Sequence, residues 1–435
     1  LMNYDDVLKG VTGADYVLHV GGMVSPAADY FPKKTLKVNT TAAQHIVKAV
    51  LAQPNADDIK VVYIGSVAQL GHRNAPVHWG RTGDPINISV YDHYAISKTI
   101  AERIFVESGI KHWACLRQTG ILCPELLLKG SDPITFHVPL DGVLEWSTAE
   151  DSGRLLANVC EADVPDEFWN RFYNISSGPS FRLTNYEFEA KLLKAIGCPP
   201  VEKIFEPNWF AIRNFHGQWY TDSDVLEGYL HFRSNQTCDS YFAWMAKQVP
   251  WYFHLAKIVP PSLIKWGMGR IASTPGLGTR DWIKKRNENR IAAYFGSFEA
   301  WQSIPEWNDL MKKRPSEKPT LLNHGYDESK PLSALTIEDM RQAAEFRGGK
   351  CLSSSMTEGD MATPLEWECQ FGHHFKASPA LILQGGHWCP ECLPMPWNDD
   401  AIAKGNPFFA QVYYPFHSKE EHRVYDNSIF ADYNE

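Results

Sequence analysis

The sequence predicts an α/β fold: a doubly wound parallel sheet with helices on both faces, then a helical lobe and a small metal-binding module. Three observations carry this. Over residues 1–200, short apolar, β-branched runs alternate with segments of helical periodicity. From Pro200 to Pro319 such runs stop, and Trp, Phe, Tyr, His and Pro become frequent. Near the end, Cys and His residues fall into two close pairs. The expected division is 1–200, 201–330, 331–400 and an aromatic tail over 401–435.

The elements follow in order. Asp5 to Gly10 reads as a short helix, and Ala14 to Val20 as a strand that ends in Gly21-Gly22. Glycines there serve a tight turn or a close backbone approach to a ligand. Leu36 to Leu51 has helical spacing and many alanines. Its Asn39, taken alone, fits an N-cap or a surface position. A strand from Lys60 to Gly65 precedes a loop to Val90 rich in Gly, Pro, Asn and His, and loops of that length often carry function. A helix then runs from Tyr94 to about Glu107, and a strand from His112 to Arg117. Ser147-Thr148-Ala149-Glu150 reads as a capping box opening a helix from Asp151 to Glu161. A strand over 172–176 and a helix over 185–196 complete the pattern.

Tyr94 and Lys98 stand four apart, on one helix face. An ammonium beside a phenol favours the phenolate, so a lowered tyrosine pKa is expected and Tyr94 is a candidate acid or base. Ser66 closes the preceding strand, where parallel sheets place reactive groups.

Ser66 five residues before Gly71, followed by Tyr94-Ala95-Ile96-Ser97-Lys98, resembles the extended short-chain dehydrogenase/reductase family, which includes nucleotide-sugar epimerases and dehydratases. The resemblance implies a Rossmann-like sheet, an NAD or NADP cofactor and a small-molecule substrate, a nucleotide-sugar or another hydroxyl or carbonyl compound. It implies that Tyr94, Lys98 and Ser66 are catalytic with support from Asn39. It also implies that Gly21, Gly22, Lys98, Gln118, Thr119 and Gly120 border the cofactor. Cys123 replaces a glycine of the family in Gln118-Thr119-Gly120-Ile121-Leu122-Cys123-Pro124. Family dehydratases follow the serine or threonine with Asp-Glu; Val67-Ala68 stand here, which disfavours dehydration. The family's Gly-rich phosphate turn and its NAD-versus-NADP determinant precede the position matching Leu1. A sheet without its first strands, with strand 14–20 at an edge and poor cofactor binding, is therefore expected. Gly267-Met268-Gly269-Arg270-Ile271-Ala272 has the letters of a dinucleotide fingerprint, but follows a poor strand and opens no βαβ unit, so it is rejected.

The net charge of −9 implies no broad nucleic-acid surface. Basic runs such as Trp282-Ile283-Lys284-Lys285-Arg286 read as solvated helix faces. No apolar run reaches the roughly 18–20 residues that span a bilayer, so no membrane partner is expected. Nine scattered cysteines argue for a reducing, cytoplasmic compartment. A homodimer is compatible with all of this.

Arg347-Gly348-Gly349-Lys350-Cys351, Cys369 with Gly372-His373-His374, and Cys389-Pro390-Glu391-Cys392 resemble the small treble-clef zinc modules. Cys369, His373, Cys389 and Cys392 are the expected ligands of a structural zinc, since four N/S donors in two pairs suit tetrahedral zinc. His374 competes with His373, and a free-thiol or redox CxxC is the other reading. His387 reads as a surface or outer residue. Loss of the ion is expected to unfold 365–393 and spare the sheet. The functional expectation is an NAD(P)-dependent oxidoreductase or epimerase. The alternative is a non-catalytic nucleotide- or metabolite-binding protein whose zinc module meets a partner.

Overall fold

A computed structural model describes residues 1–128, 132–161, 164–310, 314–395 and 398–425. The tail expected over 401–435 therefore lies partly outside the described residues.

Four parallel strands form the central sheet: β1 (Tyr16–His19), β2 (Lys60–Ser66), β3 (His112–Gln118) and β4 (Arg171–Ile175), in that spatial order. β1 pairs with β2 from Tyr16 opposite Lys60, and lies at an edge of the described sheet. β2 pairs with β3 from Lys60 opposite His112 to Ser66 opposite Gln118.

Alternation sorts the strand residues onto two faces. Val61, Tyr63, Trp113, Cys115 and Phe172 share one core with the helices Tyr4–Val11, Pro32–Leu51 and His93–Val106. Val62, Ile64, Ala114, Leu116, Tyr173 and Ile175 share a second with Ala149–Glu161 and Ser223–Leu230. Helices thus cover both faces, as the pattern predicts. The helix expected from Leu36 begins four residues earlier, at Pro32, where a missing N–H costs nothing.

The capping box expected at Ser147 is displaced. Ser147 and Thr148 form a short strand, and Thr148 Oγ1 accepts the Asp151 N–H at 3.0 Å. Glu150 is committed elsewhere, accepting from the Tyr241 hydroxyl at 2.6 Å. Between 200 and 310 the chain forms short helices plus one two-residue strand, Trp219–Tyr220. The Gly267–Gly269 segment lies inside the helix Pro261–Ile271, away from any strand-to-helix turn, consistent with its rejection.

The module near the C-terminus is built on three antiparallel strands, β5 (Lys350–Cys351), β6 (Leu365–Glu368) and β7 (His374–Ala377). Its Leu365, Trp367, Leu381 and Trp388 belong to the same core as Phe105, Trp113 and Phe172 of the sheet side. Module and sheet therefore share one continuous apolar interior. Among the described residues, no helix is long and apolar enough to cross a membrane.

The seam between module and sheet leaves no spare volume. A Cβ on Gly385 would come 2.7 Å from the Leu381 carbonyl oxygen and 2.8 Å from Phe172 Cζ. Gly153, in an exposed part of its helix, would meet nothing within 4 Å. Gly385→Ala should destabilise the protein by about 1–3 kcal/mol through overpacking. Gly153→Ala should stabilise it by roughly 0.5–1 kcal/mol. Urea denaturation checks both, and equal midpoints for the two variants would contradict the tight seam.

Candidate active site and candidate metal centre

The C-terminal edge of the sheet collects the residues singled out in the sequence. β2 ends at Ser66, and a single 3₁₀ turn, Val67–Leu70, follows at once. Ser66 caps that turn: its Oγ accepts the Ala68 N–H at 3.2 Å, and its own N–H donates to Gln69 Oε1 at 3.1 Å. Gly71 ends the turn at φ +62°, with the Asn87 carbonyl so close that no side chain fits. The serine is thus fixed by its own local sequence.

Asp92 caps the next helix by accepting the Ala95 N–H, and the helix carries Tyr94 and Lys98. The Ser66 hydroxyl lies near enough to the Tyr94 phenol to favour its ionised form. The Lys98 ammonium lies 5.9 Å from the centre of the Tyr94 ring. The structure therefore brings Ser66, Tyr94 and Lys98 together.

The charge state differs from the expectation. Burial pushes the Tyr94 phenol up to about 12, with Ser66 pulling it back and Asp92 adding to the rise. The ammonium expected to lower it donates instead to the Ile64 carbonyl at 2.7 Å. Burial brings Lys98 itself down to about 8, against the pull of Glu102. The Tyr94 phenol is thus protonated near neutral pH.

Asn39 lies mid-helix and buried, so it is neither an N-cap nor a surface residue. Its Nδ2 donates to Ser97 Oγ at 2.8 Å and to the Met23 carbonyl at 3.0 Å, and its Oδ1 accepts from the Met23 N–H at 2.8 Å. Ser97 Oγ in turn donates to the Tyr94 carbonyl at 2.7 Å. Asn39 thereby ties the segment after β1 to the Tyr94 helix. Gly21 and Gly22 are exposed in that segment, and a Cβ on Gly22 would meet Asn39 Oδ1 at 2.9 Å. Gln118 stands beside Ser66 through strand register. Thr119 is buried, and Gly120 permits close packing of Leu144 and Trp146.

Sequence reasoning missed the charged cluster beneath this site. Glu102, one turn after Lys98, is fully buried with Arg117 of β3. Arg117 Nη2 and Nε donate to its two oxygens at 2.7 and 3.1 Å. Gln69 Nε2 donates to Glu102 Oε1 at 3.0 Å. His387 Nε2 lies 2.8 Å from the same oxygen, so of the two positions expected for His387 the surface one does not hold: it is buried and committed to Glu102. Burial alone would raise the Glu102 carboxyl; Arg117 and His387 outweigh it and hold it down at about 2. The available signal was Arg117 itself, since a charged residue inside an apolar strand demands a partner.

At the other end of that contact lies the candidate metal centre. Cys369 follows β6, and the Gly372 N–H donates to its carbonyl at 2.9 Å in a tight knuckle with Gly372 at φ +79°. In the second knuckle the Cys392 and Leu393 N–H groups both donate to the Cys389 carbonyl. One donor atom from each of Cys369, His373, Cys389 and Cys392 lies within 4.8 Å of the others. Cys369 Sγ is 3.8 Å from Cys392 Sγ, the edge of a tetrahedron with metal–sulfur bonds of about 2.3 Å. His373 Nδ1 is 3.4 Å from Cys392 Sγ, whereas His374 is exposed and pairs with Glu368. A proton shared with Cys392 holds the Cys389 thiol below its ordinary range and drives Cys392 up. A cation would displace that shared proton. Cys351 lies outside the cluster.

No protein-family model and no curated protein matches the chain. Solved structures do. A dTDP-glucose 4,6-dehydratase from Streptomyces venezuelae, with NAD bound, is 18% identical, covering 57% of this chain and 76% of its own at a TM-score of 0.43. A UDP-glucose 4-epimerase from Bifidobacterium longum, with NAD+ and UDP, is 16% identical over 56% of this chain and 79% of its own, at 0.42. An L-threonine dehydrogenase from Phytophthora infestans is 17% identical over 57% and 83%, at 0.42.

The buried cluster makes a direct prediction. Glu102→Ala leaves Arg117 charged and unpaired, and should cost about 3–5 kcal/mol in urea denaturation. Pairing it with Arg117→Met should recover much of that loss, because the two residues are coupled. A cost near zero, or strict additivity, would contradict the assignment.

Proposed function

We propose that the protein is an NAD(P)-dependent enzyme, oxidoreductase or epimerase, acting at a hydroxyl or carbonyl carbon of a small molecule such as a nucleotide-sugar. One observation carries the reading: the Ser66 hydroxyl, the Tyr94 phenol and the Lys98 ammonium meet at the C-terminal edge of a parallel sheet. The residues present fit an NAD(P) at that edge. Gly21 and Gly22 offer bare, exposed backbone, and Gln118 stands beside the serine. When bound, the nicotinamide supplies hydride acceptance or donation.

The chain's own residues do the rest. Tyr94, protonated in this environment, gives its proton to the substrate oxygen in the reductive direction and takes it back in the oxidative one. Ser66 Oγ holds the same oxygen. Lys98 favours the phenolate once its ammonium turns from the Ile64 carbonyl towards Tyr94. Asn39, through Ser97, keeps the first turn of the helix in place. Val67-Ala68 offer no acid or base for an elimination, so net dehydration is disfavoured. The Cys369/His373/Cys389/Cys392 centre is a structural zinc in this reading, because four protein donors leave no open position. The module's contact with the Tyr94 helix keeps a second reading alive, a nucleotide-binding protein without turnover.

Tyr94→Phe in the full-length protein should abolish NAD(P)H-linked turnover while retaining cofactor binding and one zinc per chain. Ser66→Ala should slow turnover on the order of 100-fold, as loss of one oriented donor does. A Tyr94→Phe protein at full rate would overturn the acid/base assignment. Cofactor binding without turnover of any carbonyl or carbinol compound would favour the second reading.

A further inference from the structure

One stretch of the second lobe exposes the residues that soluble surfaces usually cover. Among the exposed large apolar side chains are Trp251 at 74%, Ile258 at 71% and Trp266 at 61%. Tyr252, Leu255 and Leu263 accompany them. They sit on two consecutive helices. In the 3₁₀ helix Trp251–Ile258, Tyr252, Leu255 and Ile258 recur every third residue and so line one face, with the exposed Trp251 ring 6.3 Å from that of Tyr252 at its rim. In the α-helix Pro261–Ile271, Leu263, Trp266 and Arg270 follow at spacings of three and four, again one face.

Each helix is anchored by its other side. Phe253 packs on the cluster of Leu122, Tyr241 and Phe242. Ile264, Met268 and Ile271 pack on that of Phe205, Trp209 and Phe210. The exposed faces are therefore not the underside of a misplaced element. They are apolar surfaces held outward.

Charge identifies what covers them. From Ser240 to Arg280 there is no Asp or Glu, although the chain holds 51 of them. The same stretch carries Lys247, Lys257, Lys265, Arg270 and Arg280, a local excess of positive charge in a chain of net charge −9. Lys265 is paired with Glu206 and Arg280 lies against Trp209, while Lys247, Lys257 and Arg270 are exposed. The Arg270 guanidinium stands 5.3 Å over the Trp266 ring. Tryptophan, tyrosine and branched aliphatic side chains flanked by basic residues suit the headgroup layer of a bilayer.

We propose that the faces of Trp251–Ile258 and Pro261–Ile271 seat the protein on an anionic phospholipid surface. Trp251, Ile258 and Trp266 enter the headgroup and acyl boundary, and Lys257 and Arg270 face the lipid phosphates and carboxylates. Such a contact needs no spanning helix, because it lies in the interface plane.

The test is co-sedimentation of the full chain with vesicles of phosphatidylcholine alone and of phosphatidylcholine with phosphatidylserine. Binding should require phosphatidylserine. It should weaken markedly as salt rises from about 0.05 M to about 0.5 M, where the Debye length shortens roughly threefold. Lys257→Glu and Arg270→Glu should each weaken it at least about fivefold, from about 1 kcal/mol per basic residue near the surface. The triple variant Trp251→Ser/Ile258→Ser/Trp266→Ser should lose binding with an unchanged Tm, since all three positions are exposed. No binding to either vesicle, or salt-independent binding to both, would overturn the proposal. So would a wild-type dimer that ignores vesicles and becomes monomeric in the triple variant, which would show a second copy covering the patch.

Discussion

The buried pair of Arg117 and Glu102 is the constraint on which the rest of the structure depends. Neither side chain has any solvent exposure. A charge removed from water without partners costs several kcal/mol, so both ions must be met by groups held in fixed places. Glu102 is met by Arg117, Gln69 and His387, and Arg117 also donates to the Gly385 carbonyl. These partners come from β3, the turn after Ser66, the Tyr94 helix and the loop entering the second metal knuckle. One carboxylate thereby fixes the relative positions of four segments distant in sequence.

This gives the C-terminal Cys/His module a role beyond local stability. Gln69 holds the Ser66 N–H, and Glu102 lies one turn from Lys98 on the same helix. Arg103 Nη2 donates to the Trp388 carbonyl at 2.7 Å, directly before Cys389. Glu107, just past the helix, accepts from Ser378. The helix that presents Tyr94 and Lys98 is thus clamped along its far side by the module, while Asn39 and Ser97 hold its first turn. Such a double clamp suits a site whose side chains must keep a narrow geometry.

Much of the fold was legible because its signals are local. Strand composition, helical period and the order of elements place all four sheet strands within a residue or two. Gly71 and the Ser66 turn are encoded within six residues, and the two Cys/His knuckles by spacing alone. What was not legible depends on distance. His387 lies 285 positions from Glu102, and nothing near either residue announces the other. The Tyr94 pKa went the other way because burial raises it, and spacing puts Lys98 on the right face without saying whether its ammonium turns to the phenol or to the Ile64 carbonyl. Thr148 rather than Ser147 caps its helix because the short strand runs through both residues and the helix begins only at Ala149. Tertiary context decided each of these.

The central claim is that the metal knuckles and the Tyr94 helix behave as one mechanical unit. Hydrogen exchange on the metal-loaded and the chelator-stripped protein tests it most directly. The account predicts that stripping accelerates exchange in the helix His93–Val106 and in the Val67–Leu70 turn together with 365–393. Faster exchange confined to 365–393, with the helix and turn unchanged, would contradict it.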